Sequence, residues 1–135
     1  MDLPSYPIVV SEDGMQFEFI SVGKKGSISK MVVFSSLGFD EMYNLALGDV
    51  VKNTNQIDDL VVSDNGDASK VLNTVLKILR LFVEKKDEAS ILISGITKSR
   101  NRLYRIMISR YYQEILITHT ILGNYNGLWQ EYNKN

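Results

Sequence analysis

The feature that most constrains the fold is an uninterrupted amphipathic pattern from Ala68 to Lys85. Its apolar residues recur at intervals of three and four and fall on one stripe: Leu72, Val75, Leu76, Leu79, Phe82 and Val83. A helix with such a stripe needs another element to cover it. Asp67, directly before the pattern, is predicted to be the N-cap. We therefore expect a helix from Ala68 to Lys85, with Leu79 and Phe82 buried against a sheet.

Three strands are predicted before this helix. Met15–Val22 alternates between apolar and polar residues, which is typical of a half-buried strand. Gly23–Gly26 has the composition of a hairpin turn and leads into a second strand, Ser27–Ser35. A third strand follows over Met42–Val51. The three are expected to form an antiparallel meander.

The second half of the chain predicts further strands and one more helix. Ser90–Ile96 is a short apolar run, typical of a strand that is covered on both faces. Gly95 allows a turn, and a cationic helix follows from Lys98. Glu114–Leu122 is rich in β-branched residues, which favours a strand. Leu60–Val62 is predicted to be a short edge strand or a packed extended segment, and Leu128–Tyr132 a short strand or an ordered tail anchored by Trp129. The order is β-β-β-α-β-α-β, an α+β class with a mixed or antiparallel sheet of five to six strands and two helices.

Length and composition bound the remaining architecture. A chain of 135 residues suits a single domain, 1–135, in which residues 1–14 are expected to be loosely ordered. The sequence contains no cysteine, which excludes disulfides, thiolate nucleophiles and cysteine-based zinc sites. No apolar run approaches the roughly 18 residues that span a bilayer, and no secretory signal precedes the domain. A cytoplasmic location without membrane partners is the expectation.

Charge is divided unevenly along the chain, although the net charge is only −1. Residues 1–67 carry eleven acids and four lysines, whereas residues 68–135 carry eleven cations and five acids. Such asymmetry is consistent with an anionic partner for the basic half. The favoured interpretation is that the two halves neutralise each other within the fold.

The cationic helix carries the candidate binding residues. From Lys98 to Arg110 there are five cations and no acid. A cation near a helix N-terminus is unfavourable, so Arg100 needs a carboxylate or an anion beside it. One interpretation is an internal ion pair with an acid such as Asp58 or Asp59. The other is an anion site that includes the free N–H groups at the start of the helix. Arg100 and Arg102 are expected to be partly buried, and the candidate anion-binding residues are Lys98, Arg100, Arg102, Tyr104 and Arg105.

No catalytic set emerges from the sequence. The single histidine, His119, lies in a predicted strand, where a structural role is the expectation. Asp58 and Asp59 are adjacent and would point to opposite faces of a strand. The segment around Asp64 and Asp67 lacks the 12-residue ligand pattern of a calcium-binding loop. No phosphate-binding glycine motif occurs in the sequence. We therefore predict no catalytic residue, no metal and no cofactor. The element order resembles the ribonuclease H-like fold, but that fold needs clustered carboxylates, and the first strand offers only Glu18.

Two segments and one aromatic residue carry a resemblance to a known family. They are 58–67, Ser99–Tyr104 (Ser-Arg-Asn-Arg-Leu-Tyr) and Trp129. They resemble an uncharacterised family of small bacterial proteins, a domain of unknown function, over most of the chain from about Met15. The basic segment of that family usually runs Ser-Thr-Pro-x-Arg-Thr-Arg-Leu-Tyr. Here the proline is missing, so the helix start is expected to differ. The resemblance implies no known activity.

Three functional hypotheses follow. The leading one is a non-enzymatic protein-interaction module that binds a protein partner or self-associates. The alternative is binding of nucleic acid or a nucleotide through Lys98–Arg110, with tyrosines stacking on bases. The third is a metal-dependent hydrolase of ribonuclease H-like shape that uses Glu18, Asp58 and Asp59.

Overall fold

The computed structural model describes residues 3–54, 56–58, 65–93, 98–118, 120, 122–125 and 128–131. Within these ranges the chain forms a six-stranded sheet, three helices and a separate two-stranded hairpin. The predicted α+β class, with a mostly antiparallel sheet and the predicted order of strands and helices, is confirmed.

The main sheet is built from an antiparallel path of five strands with a sixth strand beside it. The path runs in chain order through β1 (Val9–Val10), β2 (Gln16–Gly23), β3 (Gly26–Ser36), β4 (Met42–Val50) and β5 (Ile57–Asp58). β6 (Ser90–Ile93) pairs in parallel with the first half of β4, whereas β5 pairs with the end of β4. The predicted meander is therefore confirmed, with one short strand added beside β2 and two beside β4.

The hairpin between β2 and β3 fixes which residues face inward. Gly23 pairs with Gly26, and Phe17 pairs with Val32. Because directly opposed residues share a face, the alternation in each strand collects the large apolar side chains on one side. This inner face carries the buried residues Phe17, Phe19, Val32, Phe34, Leu45 and Leu47. The opposite, outer face includes Glu18, Ile20 and Val22.

The helix α1 spans Ala68–Lys85, with the predicted bounds, and packs on the inner face. The ring of Phe82 stacks on Phe34 with centroids 3.8 Å apart, and Tyr43 meets Phe82 edge to face. Phe82 is buried, as predicted. Leu79 is only half-buried, however, and Ile78 is fully buried in its place. The apolar stripe is therefore centred closer to Ile78 than the sequence pattern indicated.

Two further helices follow β6, and the first of them packs on α1. The helix α2 spans Lys98–Arg110, and α3 spans Tyr112–Thr118. Tyr104, Met107 and Tyr111 are buried in the same core cluster as the residues of α1. β7 (Leu122–Tyr125) and β8 (Leu128–Glu131) then form the separate hairpin.

The predicted strand over Glu114–Leu122 is wrong, since most of this segment belongs to α3. The amide of Tyr111 donates to the carbonyl of Met107, and the amide of Ile115 donates to that of Tyr111. Helical hydrogen bonding therefore continues through the junction of the two helices. Tyr111 and Ile115 lie one turn apart and both pack against the core. Tertiary packing thus overrides the preference of the β-branched residues for a strand.

Several predictions fall outside the described residues. They concern the strand at Leu60–Val62, the turn at Gly95 and the environment of His119. The prediction for Ser90–Ile96 is met by a strand over Ser90–Ile93, which is half-buried rather than fully covered.

The N-terminal segment is held against the sheet and α1, whereas the sequence favoured loose order for residues 1–14. The amide of Tyr6 donates to Thr74 Oγ1 at 2.9 Å, and Asn73 Nδ2 donates to the carbonyl of Pro4 at 2.9 Å. Tyr6 is itself 6% exposed and stacks on Phe19. An aromatic anchor therefore fixes this segment.

Asp67 occupies the N-cap position of α1, but its side chain makes no capping hydrogen bond. Its Oδ2 instead accepts hydrogen bonds from the Tyr6 hydroxyl at 2.5 Å and the Ser21 hydroxyl at 2.6 Å. The predicted capping role is therefore wrong. Two buried hydroxyl donors compete successfully for a carboxylate that local sequence alone would assign to the helix amides. Asp67 thereby ties the N-terminal segment and β2 to the start of α1.

Replacing Tyr6 with phenylalanine is expected to lower the free energy of unfolding by about 1.5–3 kcal/mol at neutral pH, the usual worth of a hydrogen bond to a charged group. Burial, followed by the hydrogen bond to Asp67, raises the pKa of Tyr6 above its ordinary value. The native state therefore holds this proton more tightly than the unfolded chain does. Its stabilisation is complete below the unfolded pKa of about 10 and is lost as pH rises through the folded value.

Urea unfolding at several pH values checks this expectation. The difference in stability between wild type and Tyr6→Phe should shrink as pH rises from about 9 to about 11. A difference that stays constant over this range would contradict a raised pKa at Tyr6.

Candidate anion-binding face of α2

The exposed side of α2 presents a concentration of positive charge. We call Lys98, Arg102, Arg105 and Arg110, all of them exposed, the basic face. A cleft of about 590 Å³ runs along it and is lined by Lys98, Asn101, Arg102, Arg105, Ile106, Ser109 and Arg110. The helix contains no acidic residue.

The helical period explains why these cations point outward. Tyr104, Met107 and Tyr111 recur at intervals of three and four and are 3%, 0% and 7% exposed. Residues 98, 102, 105 and 109 occupy the opposite side, within an arc of about 60°. Burial of the tyrosine and methionine side chains therefore forces the cations toward solvent.

Two polar contacts fix the orientation of α2 on α1. The hydroxyl of Tyr111 donates to Asn73 Oδ1, and Arg110 Nη1 donates to Ser69 Oγ at 3.2 Å. Asn73 in turn holds the N-terminal segment through Pro4. The basic face is therefore mounted on the rigid core, because α2 is packed along its buried side and Arg110, at the end of the face, is hydrogen-bonded to α1.

The cations are close enough for their fields to add. Residues Lys98 and Arg102 are separated by about 6 Å along the helix axis, and Lys98 and Arg110 by about 18 Å. The axial steps between Lys98, Arg102 and Arg105, which share one arc of the helix, are therefore shorter than the Debye length of about 8 Å at physiological ionic strength. An anion beside the face would interact with more than one of them at once.

The structure brings together some of the predicted anion-binding residues and separates others. Lys98, Arg102 and Arg105 share one exposed face. Arg102 was expected to be partly buried, and that prediction is wrong, since its position opposite Tyr104 leaves it exposed. Tyr104 is buried in the core and presents no ring to a ligand at this face. The side chain of Arg100 lies outside the described residues, and so does its expected pairing with an acid.

Sequence reasoning did not include four other residues of the cleft: Asn101, Ile106, Ser109 and Arg110. The sequence signal that could have identified three of them is their spacing along the helix. Ile106 and Arg110 follow Arg102 at successive intervals of four, and Ser109 follows Arg105 by four.

The carboxylates proposed for a hydrolase are not brought together. Glu18 lies on β2 and accepts a hydrogen bond from Ser29 Oγ at 2.6 Å. Asp58 lies on β5, three strand spacings away, or about 14 Å. Two metal ions that share carboxylates sit only about 4 Å apart. Asp59 lies outside the described residues, and among those described no three His, Cys, Asp or Glu side chains cluster as metal ligands do.

The helices of the described segments are also too short or too polar to cross a lipid bilayer.

Comparison with known proteins identifies the family. No curated protein and no solved structure shows a significant match to the chain. A family model described as a family of unknown function, DUF6934, matches residues 2–135. That match extends the expected resemblance to the N-terminal segment that Tyr6 anchors. Because the match covers nearly the whole sequence, the chain belongs to the family of unknown function DUF6934.

Proposed function

We propose that this protein is a non-enzymatic interaction module that binds an anionic partner through the basic face of α2. The observation that carries the proposal is the set of four exposed cations that line one cleft beside a helix without acids. Lys98, Arg102 and Arg105 share one side of that helix, and Arg110 follows at its C-terminal end. Exposed like charges on one helix side repel one another by a few tenths of a kcal/mol per pair. A bound anion removes that cost.

Within the part of the chain that the structure describes, internal neutralisation does not account for this face. Among the described residues no carboxylate pairs with Lys98, Arg102 or Arg105. The sheet shows what internal neutralisation looks like in this protein, since Lys30 Nζ lies 2.6 Å from Asp49 Oδ1 and both side chains are mostly buried. The described acids of the first half are therefore not positioned to neutralise Lys98, Arg102 or Arg105.

Arginine suits the proposed role. Its planar guanidinium can donate two parallel hydrogen bonds to a phosphate or carboxylate, and it stays charged at every physiological pH. Arg102 and Arg105 are separated by one helical turn and border the same cleft. They are the residues that we expect to make the strongest contacts.

A protein partner or a second copy of this chain is the second candidate. Val9, Ile20 and Val22 lie on the outer face of the sheet, where they are 71%, 53% and 58% exposed. Val9 is paired with Glu18, which places it on the same face as the two β2 residues. Exposed apolar side chains that neighbour one another favour a protein contact at that surface.

The test replaces Arg102 and Arg105 together with glutamine and measures binding of fluorescently labelled heparin. Wild type should bind at low salt, and the double variant should bind roughly tenfold more weakly, which corresponds to about 1.4 kcal/mol. Because both side chains are exposed, the free energy of unfolding should change by less than about 0.5 kcal/mol.

The matched control is the pair Lys77→Gln and Lys85→Gln, which removes the same charge from exposed positions on α1. Heparin affinity of this variant should stay close to that of wild type. Wild type that does not bind heparin, or equal losses in the two double variants, would refute the proposed site.

A further inference from the structure

We infer that the anionic partner is a double-stranded nucleic acid, contacted through its phosphate backbone. The inference rests on the proposed function and specifies the class of partner. Three properties of the basic face lead to it: its composition, the placement of the tyrosines, and its length and exposure.

The composition of the face suits a nucleic acid better than a protein. Protein interfaces are depleted of charge at their core and enriched there in aromatic residues. Among the described residues, Ile106 is the one apolar side chain that lines the cleft, where it is 37% exposed and shares the lining with four cations. Nucleic-acid interfaces are more polar and much more positive than those between proteins.

The placement of the tyrosines favours a duplex over a single strand. Proteins that hold single strands stack successive bases on exposed aromatic rings beside cations. Tyr104 and Tyr111 are buried, and among the described residues no aromatic side chain lines the cleft. Tyr111 also uses its hydroxyl to bond Asn73 within the core. The described residues of the face can therefore contact phosphates but provide no exposed aromatic ring on which a base could stack. Binding to the outside of a duplex requires only the phosphate contacts.

Length and exposure favour a polymer over a free nucleotide. A small-molecule site encloses most of its ligand, whereas Lys98, Arg102 and Arg105 project from an open surface. The cations extend over about 18 Å of helix axis, a distance over which duplex DNA carries roughly ten phosphate charges on its two strands. Three cations on one side of the helix, with Arg110 at the end of the same cleft, can therefore contact successive phosphates beside a groove, independently of base sequence.

The experiment measures fluorescence polarisation with three labelled probes over a range of salt concentrations. The probes are a duplex of about 20 base pairs, one of its strands alone, and polyglutamate of similar total charge. The duplex should bind at least about fivefold more tightly than the other two. Its logarithmic affinity should fall with the logarithm of salt concentration with a slope near −3.6, for about four neutralised phosphates.

Arg105→Gln should reduce the steepness of that slope by about 1. Lys77→Gln on α1 should leave the slope unchanged and serves as the matched control.

The outcomes separate this inference from the proposed function. Tightest binding to polyglutamate would indicate an acidic protein partner, and would overturn the nucleic-acid inference while leaving an anion-binding module. Equal or tighter binding to the single strand would overturn the inference that the nucleic acid is double-stranded. Failure of all three probes together with heparin would remove the proposed function as well.

Discussion

Replacing Gly23 with alanine is expected to lower the free energy of unfolding by about 3–4 kcal/mol. A Cβ at this position would lie 1.8 Å from the backbone oxygen of Asn65 and 2.9 Å from its carbonyl carbon. Neither atom is the end of a flexible side chain, so one of the two backbone segments must move. Overpacking of this kind costs about 1–3 kcal/mol, and each hydrogen bond lost with it adds about 1 kcal/mol.

The hydrogen bonds at risk are those that join the hairpin to the start of α1. The carbonyl of Asn65 accepts from the amide of Lys24 at 3.0 Å, and its side-chain oxygen accepts from the amide of Lys25 at 2.6 Å. Its Nδ2 donates to the carbonyl of Gly26 and the hydroxyl of Ser21. Displacing Asn65 by the distance that a methyl group requires would break several of these bonds at once.

Urea unfolding tests the prediction, with Gly14→Ala as the control. Gly14 has a φ of +73° and no neighbour within 4 Å of a built Cβ, so alanine there meets only backbone strain of about 1–2 kcal/mol. Gly23→Ala should therefore be clearly the more destabilising of the two. If Gly23→Ala costs no more than Gly14→Ala, Asn65 does not approach the hairpin as closely as described.

Gly23 also shows where sequence reasoning reaches its limit. The motif Gly23-Lys24-Lys25-Gly26 correctly predicted a hairpin, and Gly26 does adopt a positive φ of +90°. The requirement for glycine at position 23 has another origin, since it comes from the approach of Asn65, which is distant in sequence. No local pattern reveals such a contact. The role of Asp67 was missed for the same reason, because its partners Tyr6 and Ser21 arrive from other elements.

Elements whose periodicity agrees with their packing were predictable. The bounds of α1 and the three strands of the meander follow from apolar spacing alone. The helix α3 was not predictable, because Ile115 and Ile117 alternate in the sequence as they would in a strand. In the structure, Tyr111 and Ile115 lie one helical turn apart and both pack against the core. At the site, the same helical period that exposes Arg102 and Arg105 buries Tyr104. The cationic face could be predicted, but its separation from the tyrosines depends on which side of α2 meets α1.

Replacing Phe82 with alanine is expected to be among the most destabilising changes in this protein, at about 3–5 kcal/mol. The side chain is 2% exposed and stacks on Phe34 with an interplanar angle of 7°. Tyr43 packs on it edge to face at 5.2 Å between centroids. Truncation would leave a cavity between α1 and β3 and would remove two aromatic contacts, each worth about 0.5–1.5 kcal/mol within that total.

Two companion variants, Leu79→Ala and Phe82→Leu, make this prediction specific. Leu79→Ala should cost clearly less, since Leu79 is only half-buried and its neighbourhood can admit water. Phe82→Leu should recover much of the loss, because most of the volume stays filled. Urea unfolding, with the denaturant slope compared between variants, gives all three values. Typical domains have a free energy of unfolding of only about 5–15 kcal/mol, so the loss expected for Phe82→Ala is a large fraction of the stability of a domain. A larger loss for Leu79→Ala than for Phe82→Ala would mean that α1 meets the sheet through a different side, and the orientation of α2 and its basic face on α1 would then be wrong too.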